Sequence, residues 1–421
     1  MPLDDPPSDP MPTDALFARA VFAVEADLFA EARRQLSVCN ACRYCAGYCP
    51  VWPELELRTD LTDGDLGYLA NLCHDCQDCY TACMYTAPHE FALNPPQVFA
   101  GLREDTYRRY AWPRRLPGWL TGWRGAVTAL VAAVALLIVV SAAATGRLLS
   151  AAGHHPGGPY EIVPYALLLV LTGAPAVWCA ALLAVGAVRY WRDIHGPVAD
   201  LARPGAWAAA LVQAARLRHM RGGEAGCDYP GDVPSPARRR FHQILVYGFG
   251  LCLASTVSAA VEQDLLGIGP PYAYRSVPVV AGTLGGAAMI VGGAGLLALK
   301  ARSDPARGTE GMRAADYALT VALLTLAATG LLTLAVRDTA AFGPVLVAHL
   351  AAIMVAFAVA PYTKFAHWLY RLLATYKHNL NPPGPQASGI RSGPAPSRRP
   401  PPPHRFSRSP GGGGAPPAPD R

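Results

Sequence analysis

Residues 39–50 read CNACRYCAGYCP and residues 73–83 read CHDCQDCYTAC. Both runs have the spacing Cys-x2-Cys-x2-Cys-x3-Cys: Cys39, Cys42, Cys45 and Cys49, then Cys73, Cys76, Cys79 and Cys83. Three thiolates at three-residue intervals can wrap one iron–sulfur cubane, because the short turns present successive sulfurs to adjacent iron corners. The fourth cysteine is then left for the other cluster. The spacing therefore assigns Cys39, Cys42, Cys45 and Cys83 to one [4Fe–4S] cluster, and Cys73, Cys76, Cys79 and Cys49 to a second. Structural zinc sites use separated pairs of ligands rather than such triplets. A c-type haem would need C-x-x-C-H, but Arg43 follows Cys42 and Gln77 follows Cys76. Pro50 follows the first run, whereas Met84 follows the second.

Outward from the cysteines, Ala15–Val38 reads as an amphipathic helix and Pro95–Arg109 as another. The stretch between the runs, VWPELELRTDLTDGDLGYLANL, lacks sustained strand alternation. A helical ferredoxin-like domain over residues 15–115 follows. The first fourteen residues, acidic and Pro-rich with no apolar core for a signal peptide, read as a disordered leader. Trp112, Trp119 and Trp123 with Arg114, Arg115 and Arg124 resemble an interfacial belt at the entry to a membrane.

The chain has 421 residues, 52% apolar and 16% charged, which is far from the composition of an ordinary soluble globule. Its apolar residues fall into six stretches free of Asp, Glu, Lys and Arg: Gly125–Thr145, Ile162–Val188, Ile244–Val261, Val277–Leu299, Tyr317–Val336 and Val345–Thr363. Each is long enough to cross a bilayer as a helix. The expected architecture is thus all-α: the ferredoxin-like domain with its two clusters, then a six-helix transmembrane bundle over residues 116–380. Residues 381–421, rich in Pro, Gly, Ser and Arg without periodicity, read as a disordered tail.

Nine arginines crowd the connection between spans two and three, from Arg189 to Arg240. Lys300, Arg302, Arg307 and Arg313 follow span four, while the alternate loops carry one each: Arg147, Arg275 and Arg337. The positive-inside rule then puts both termini and the cysteine domain in the cytoplasm of a multi-pass inner-membrane protein. The net charge of +6 needs no nucleic acid, since a basic rim facing anionic lipid accounts for it.

Histidines at membrane depth point to function. Span six carries His349 and His367 eighteen residues apart, five helical turns, so both rings leave the same helix face, one near each side of the bilayer. Span three, antiparallel to it, opens with Arg239-Arg240-Phe241-His242. His242 and His367 are expected to ligate a b-type haem between helices, with Arg240 or Lys364 near its propionates and His195 as a competing ligand. His349 could ligate a second haem if His154 or His155 reached inward from the external loop. Glu262 and Asp264 read as interfacial carboxylates, with a proton relay as the alternative. The glycines of span four read as close helix packing, and Cys179, Cys227 and Cys252 as packing residues.

The doubled cysteine run, RRFHQILVYGFGLCLAST (residues 239–256) and AHLAAIMVAFAVAPYTKFAHWLYR (residues 348–371) together resemble the tricarballylate-utilisation protein B family, also called citrate-utilisation protein B. The resemblance runs from about Leu36 to Tyr376. It implies two [4Fe–4S] clusters, b haem, and a cytoplasmic flavoprotein dehydrogenase partner that oxidises tricarballylate and is itself reoxidised by this chain. The span-six histidines are also similar to those of nitrate reductase γ and heterodisulfide reductase membrane subunits, which implies the reverse role of a quinol-oxidising anchor feeding a reductase. The chain has neither a dinucleotide fingerprint nor a nucleophile–base set. It is therefore expected to be an electron-transfer component, passing electrons to membrane quinone, rather than a stand-alone enzyme.

Overall fold

The computed structural model describes residues 13–113, 123–149, 158–222 and 226–380. Among the described residues the secondary structure is helical throughout, apart from one isolated bridge between Cys227 and Ser235. The Pro/Arg-rich tail, His154, His155, Trp119, Arg114 and Arg115 lie outside the described residues, as do residues 1–12 of the expected leader. The side chains of Trp123 and Arg124 are likewise outside them.

Five helices form the N-terminal domain: α1 (Thr13–Cys42), α2 (Val51–Glu56), α3 (Asp63–Leu72), α4 (Asp78–Thr81) and α5 (Pro95–Arg109). The stretch between the cysteine runs is α2 and α3, so the helical expectation holds there. A capping box starts α3: Asp65 N–H donates to Thr62 Oγ1 at 3.1 Å, and Thr62 N–H donates to the Asp65 carboxylate at 3.2 Å. The helix stops at Cys73, whose extended backbone releases the second run into a loop. Asn94 caps α5 by accepting from Gln97 N–H, with Pro95 and Pro96 in its first turn. Leu36, Leu55, Leu66, Leu69, Phe99 and Leu102 are buried between these helices and form the core.

Six helices are long and apolar enough to cross a membrane: α6 (Trp123–Ala144), α7 (Tyr165–Asp193), α9 (Ala237–Asp264), α10 (Val277–Arg302), α11 (Glu310–Ala335) and α12 (Phe342–Val359), the last extended by a 3₁₀ turn at Ala360–Tyr362. Valines and leucines such as Val131, Val139, Val177, Leu253 and Val291 face outward, as lipid-facing positions do. Glycines bring α9 against α10. A Cβ on Gly285 would stand 2.7 Å from the Gly248 carbonyl oxygen, and one on Gly292 only 2.6 Å from the Leu245 amide. The span-four glycines thus serve backbone approach.

Two shorter helices complete the chain, α8 (Pro204–Ala215) and α13 (His367–Leu380). They pack on each other, with Trp207 stacked on Tyr376 at 4.1 Å between ring centroids. Here one expectation is corrected. His349 and His367 do not share a helix: α12 ends at Val359, two 3₁₀ turns intervene, and His367 is the first residue of α13. Pro361 has no N–H to continue the ladder, and Thr363 is extended (φ −115°, ψ 175°), so the five-turn register is lost.

The cysteine domain sits on the end of the bundle that carries the basic loops. Arg238 donates to the His74 carbonyl at 3.3 Å and pairs with Asp75, and Arg371 donates to the Cys73 carbonyl at 2.9 Å. Tyr110 O–H donates to Asp193 at 2.9 Å, and Asn94 to the Ala306 carbonyl at 2.8 Å. Arg307 ion-pairs with Asp232 and contacts Gln77. At the opposite end the alternate loops bond to one another, for example Arg337 to the Tyr272 carbonyl at 3.1 Å.

Candidate metal centres

Each cysteine run bends through residues with positive φ: Arg43 (56°) in the first, Asp75 (57°) and Gln77 (68°) in the second. Such turns are costly for residues with a Cβ. With these turns, thiols of one run line the same void.

Two voids result. Cys39, Cys42, Cys45 and Cys83 line the first, with Cys79 at its inner wall and Tyr44, Trp52, Leu55, Met84 and Leu93 around it. Cys49, Cys73, Cys76 and Cys79 line the second, with Val51, Phe99, His74 and His219. The second void gathers three cysteines of one run and the last of the other, while the first gathers Cys39, Cys42 and Cys45 with both Cys79 and Cys83.

Burial pushes the Cys39 and Cys45 thiols up to about 12, and the neighbouring sulfurs add to it. As bare thiols they would stay protonated at neutral pH, and a bound metal is what would make them thiolates. Among the described residues no three or more His, Cys, Asp or Glu side chains converge to hold one metal ion. Cysteines line both voids, a donor set that suits iron–sulfur ligation. Backbone amides already aim at two of them: Asp75 N–H at Cys73 Sγ (3.4 Å) and Tyr85 N–H at Cys83 Sγ (3.3 Å).

Three arginines gather behind the loop of the second cysteine run, a feature the cysteine spacing does not announce. Arg103, buried on α5, donates to the Ala70 carbonyl at 3.2 Å and stands 4.0 Å from the Asp75 carboxylate. Arg238 and Arg371 hold the backbone of the same loop from the membrane side. A sequence signal did exist: Arg103 falls four residues after Phe99 on the buried face of α5, and Arg371 four residues after His367.

The deeper histidines meet at the junction of domain and bundle. The rings of His242, in the first turns of α9, and His367 lie 6.5 Å apart between centroids, with planes at 88°. A metal–imidazole bond of about 2 Å, plus roughly 1.1 Å from nitrogen to ring centre on each side, puts two rings bound across one metal about 6.3 Å apart. The observed separation matches this. His367 Nδ1 lies 2.7 Å from the Lys364 carbonyl oxygen, to which it donates, leaving Nε2 as the lone-pair nitrogen. His242 Nδ1 is buried with no hydrogen-bond partner in the protein, an unmet polar demand at the same spot.

Other expected residues fall elsewhere. His195 is exposed in the turn that ends α7, at φ 57°, and it is His242 whose ring contacts His367. Lys364 is engaged by Asp316, which also pairs with Lys300 at 2.7 Å, and Arg240 is exposed. His349 bonds to the Thr329 hydroxyl of α11 at 2.9 Å, and a Cβ on Gly330 would come within 3.1 Å of its ring. Its polar neighbour among the described residues is thus a threonine. Asp264 accepts from Tyr165 O–H at 2.8 and 2.9 Å, an interfacial contact. Cys179 and Cys227 are buried, Cys227 donating to the Met220 carbonyl at 3.1 Å, and Cys252 lies 3.8 Å from Met289 Sδ.

Comparison with known proteins gives a consistent picture. Residues 121–388 match the family model described as Citrate utilization protein B, and residues 32–109 match the Citrate utilization protein B Fer4-like domain. The Citrate utilization protein B of Escherichia coli is 40% identical over 352 residues, covering 83% of this chain and 91% of that protein. No solved structure matches.

Proposed function

The chain belongs to the citrate utilization protein B family, and we propose that it carries electrons from a cytoplasmic flavoprotein dehydrogenase to the quinone pool of the inner membrane. The Fer4-like domain suggests iron–sulfur clusters and an electron-transfer role. The finer assignment is ours. Cys39, Cys42, Cys45 and Cys83 hold one [4Fe–4S] cluster, and Cys49, Cys73, Cys76 and Cys79 hold the other. His242 and His367 hold a b haem. The partner is of the tricarballylate- or citrate-pathway type, both termini are cytoplasmic, and the organic chemistry takes place on the partner.

These cofactors supply one-electron chemistry, and the protein supplies their ligands, spacing and surroundings. Cys42, Tyr44 and Met84 are exposed at the rim of the first void, where a docked donor can come close. Cys79 lines both voids, so the two clusters would be neighbours. Helix α13 then joins the second cluster to the haem site, since His367 opens it and Arg371, one turn on, touches the Cys73 carbonyl. That single helix carries the reading: its first turn serves the bundle and its second serves the cysteine domain.

The test is an anaerobic spectrum and metal analysis of the detergent-purified chain. About eight non-haem irons and one haem per chain are expected, bleached or shifted by dithionite and reoxidised by a quinone analogue. A colourless protein holding stoichiometric zinc would overturn the proposal. Haem reduction by quinol that outpaces reduction by any flavoprotein would reverse its direction.

A further inference from the structure

The two voids differ in what stands behind their linings, for Asp75 is the charged residue lining the second. Of the residues lining the first, Arg43 and Glu56 are charged. They carry opposite signs, and Arg43 is exposed, where water screens it. Around the second, Arg103 donates to the Ala70 carbonyl, Arg371 donates to the Cys73 and Asn71 carbonyls, and Arg238 donates to the carbonyls of His74 and Asp75. Asp75 faces two of these guanidinium groups, at 4.0 Å from Arg103 and 3.5 Å from Arg238, and Asp78 lies close by in the same cysteine run. Asp228, buried and donating its N–H to the Cys76 carbonyl at 3.0 Å, brings a third carboxylate to the same region, so the three guanidinium groups are matched in number and act through their direct contacts with the ligand loop.

A cluster ligated by four thiolates is an anion that gains a further negative charge on reduction. Fixed cations in a low-dielectric pocket stabilise the reduced state more than the oxidised one, and so raise the potential. Hydration at the open rim of the first cluster acts in the same direction there, but water meets only one edge, while the guanidinium groups grip the ligand loop itself.

Resting on the electron-transfer reading above, we infer that Arg103, Arg238 and Arg371 form a cationic cradle that raises the reduction potential of the Cys49/Cys73/Cys76/Cys79 cluster and makes it the electron-collecting centre on the membrane side. One electron leaves the outer cluster, which is oxidised by one equivalent. It reduces the inner cluster by one equivalent, and no bond or proton moves. The arginines are positioning residues that act through charge on the ligand loop.

The experiment is a mediated redox titration of the full-length chain in detergent, with both clusters followed by electron paramagnetic resonance. A Cys42→Ser variant identifies which signal belongs to the outer cluster. Arg371→Gln and Arg103→Gln should lower the potential of the inner cluster alone, by at least a tenfold change in the electron-partition constant between the clusters, which is 59 mV for one electron. Arg371→Lys, which keeps the charge and changes the shape, should recover most of the shift. If Arg103→Gln fails to assemble the inner cluster, the Arg371→Gln and Arg371→Lys pair decides, because that side chain bonds backbone carbonyls. Intact clusters whose potentials do not move, or move together, would overturn the cradle. Absence of both clusters from the wild-type chain would instead overturn the function proposed above.

Discussion

Gly292→Ala in α10 is a sharp test of how the bundle positions its histidine pair. A Cβ there would stand 2.6 Å from the Leu245 amide nitrogen and 2.8 Å from the Phe241 carbonyl oxygen, both backbone atoms of α9 that cannot rotate away. Restoring ordinary contact requires α9 to retreat by about 1 Å. The atoms pushed belong to the residue just before His242 and to the one three positions after it. A ligand constellation tolerates displacement of about 0.5 Å, and such overpacking typically costs about 1–3 kcal/mol. At 1.4 kcal/mol per factor of ten, haem affinity should fall roughly 5- to 100-fold. The assay is haem per chain and the reduced-minus-oxidised spectrum after dilution, with the iron–sulfur signal as an internal reference. Gly250→Ala on the same α9 is the control, because nothing lies within 4 Å of its Cβ and full haem should remain. If Gly292→Ala kept wild-type haem affinity while Gly250→Ala lost it, close approach of α9 and α10 would not be what sets the site.

Three further outcomes are expected. His367→Ala should abolish haem absorbance and leave both cluster signals, and a retained bis-histidine spectrum would reject that ligand. His349→Ala should leave the haem-to-chain ratio unchanged, because its ring already bonds Thr329; a ratio cut by half would give it an iron. Thr62→Ala removes the capping box ahead of the second cysteine run. It should destabilise α3 by about 1 kcal/mol, seen as faster bleaching of the clusters in denaturant.

Much of this was readable from residue order. Six apolar stretches gave six spanning helices, and Pro95–Arg109 is helical between those same residues. Cysteine spacing is informative about which thiols share a void, because a few residues and a turn between sulfurs keep the geometry local. What escaped was long-range or hung on one backbone interruption. Pro361 lies within an apolar stretch that reads as continuous, yet it ends α12 and moves His367 to a different helix. Arg103 and Arg371 belong to neither cysteine run. Their meeting at Cys73 depends on how α5 and α13 pack against α3, across some 300 residues of chain.

The contacts that seat the cysteine domain have a kinetic consequence. Tyr110 to Asp193, Asn94 to Ala306 and Arg371 to Cys73 bolt it to the bundle from three sides. A carrier fixed in this way has no swinging step between loading and delivery. Electron passage inside the chain should therefore be indifferent to solvent viscosity, with friction entering only when the outside donor arrives or departs.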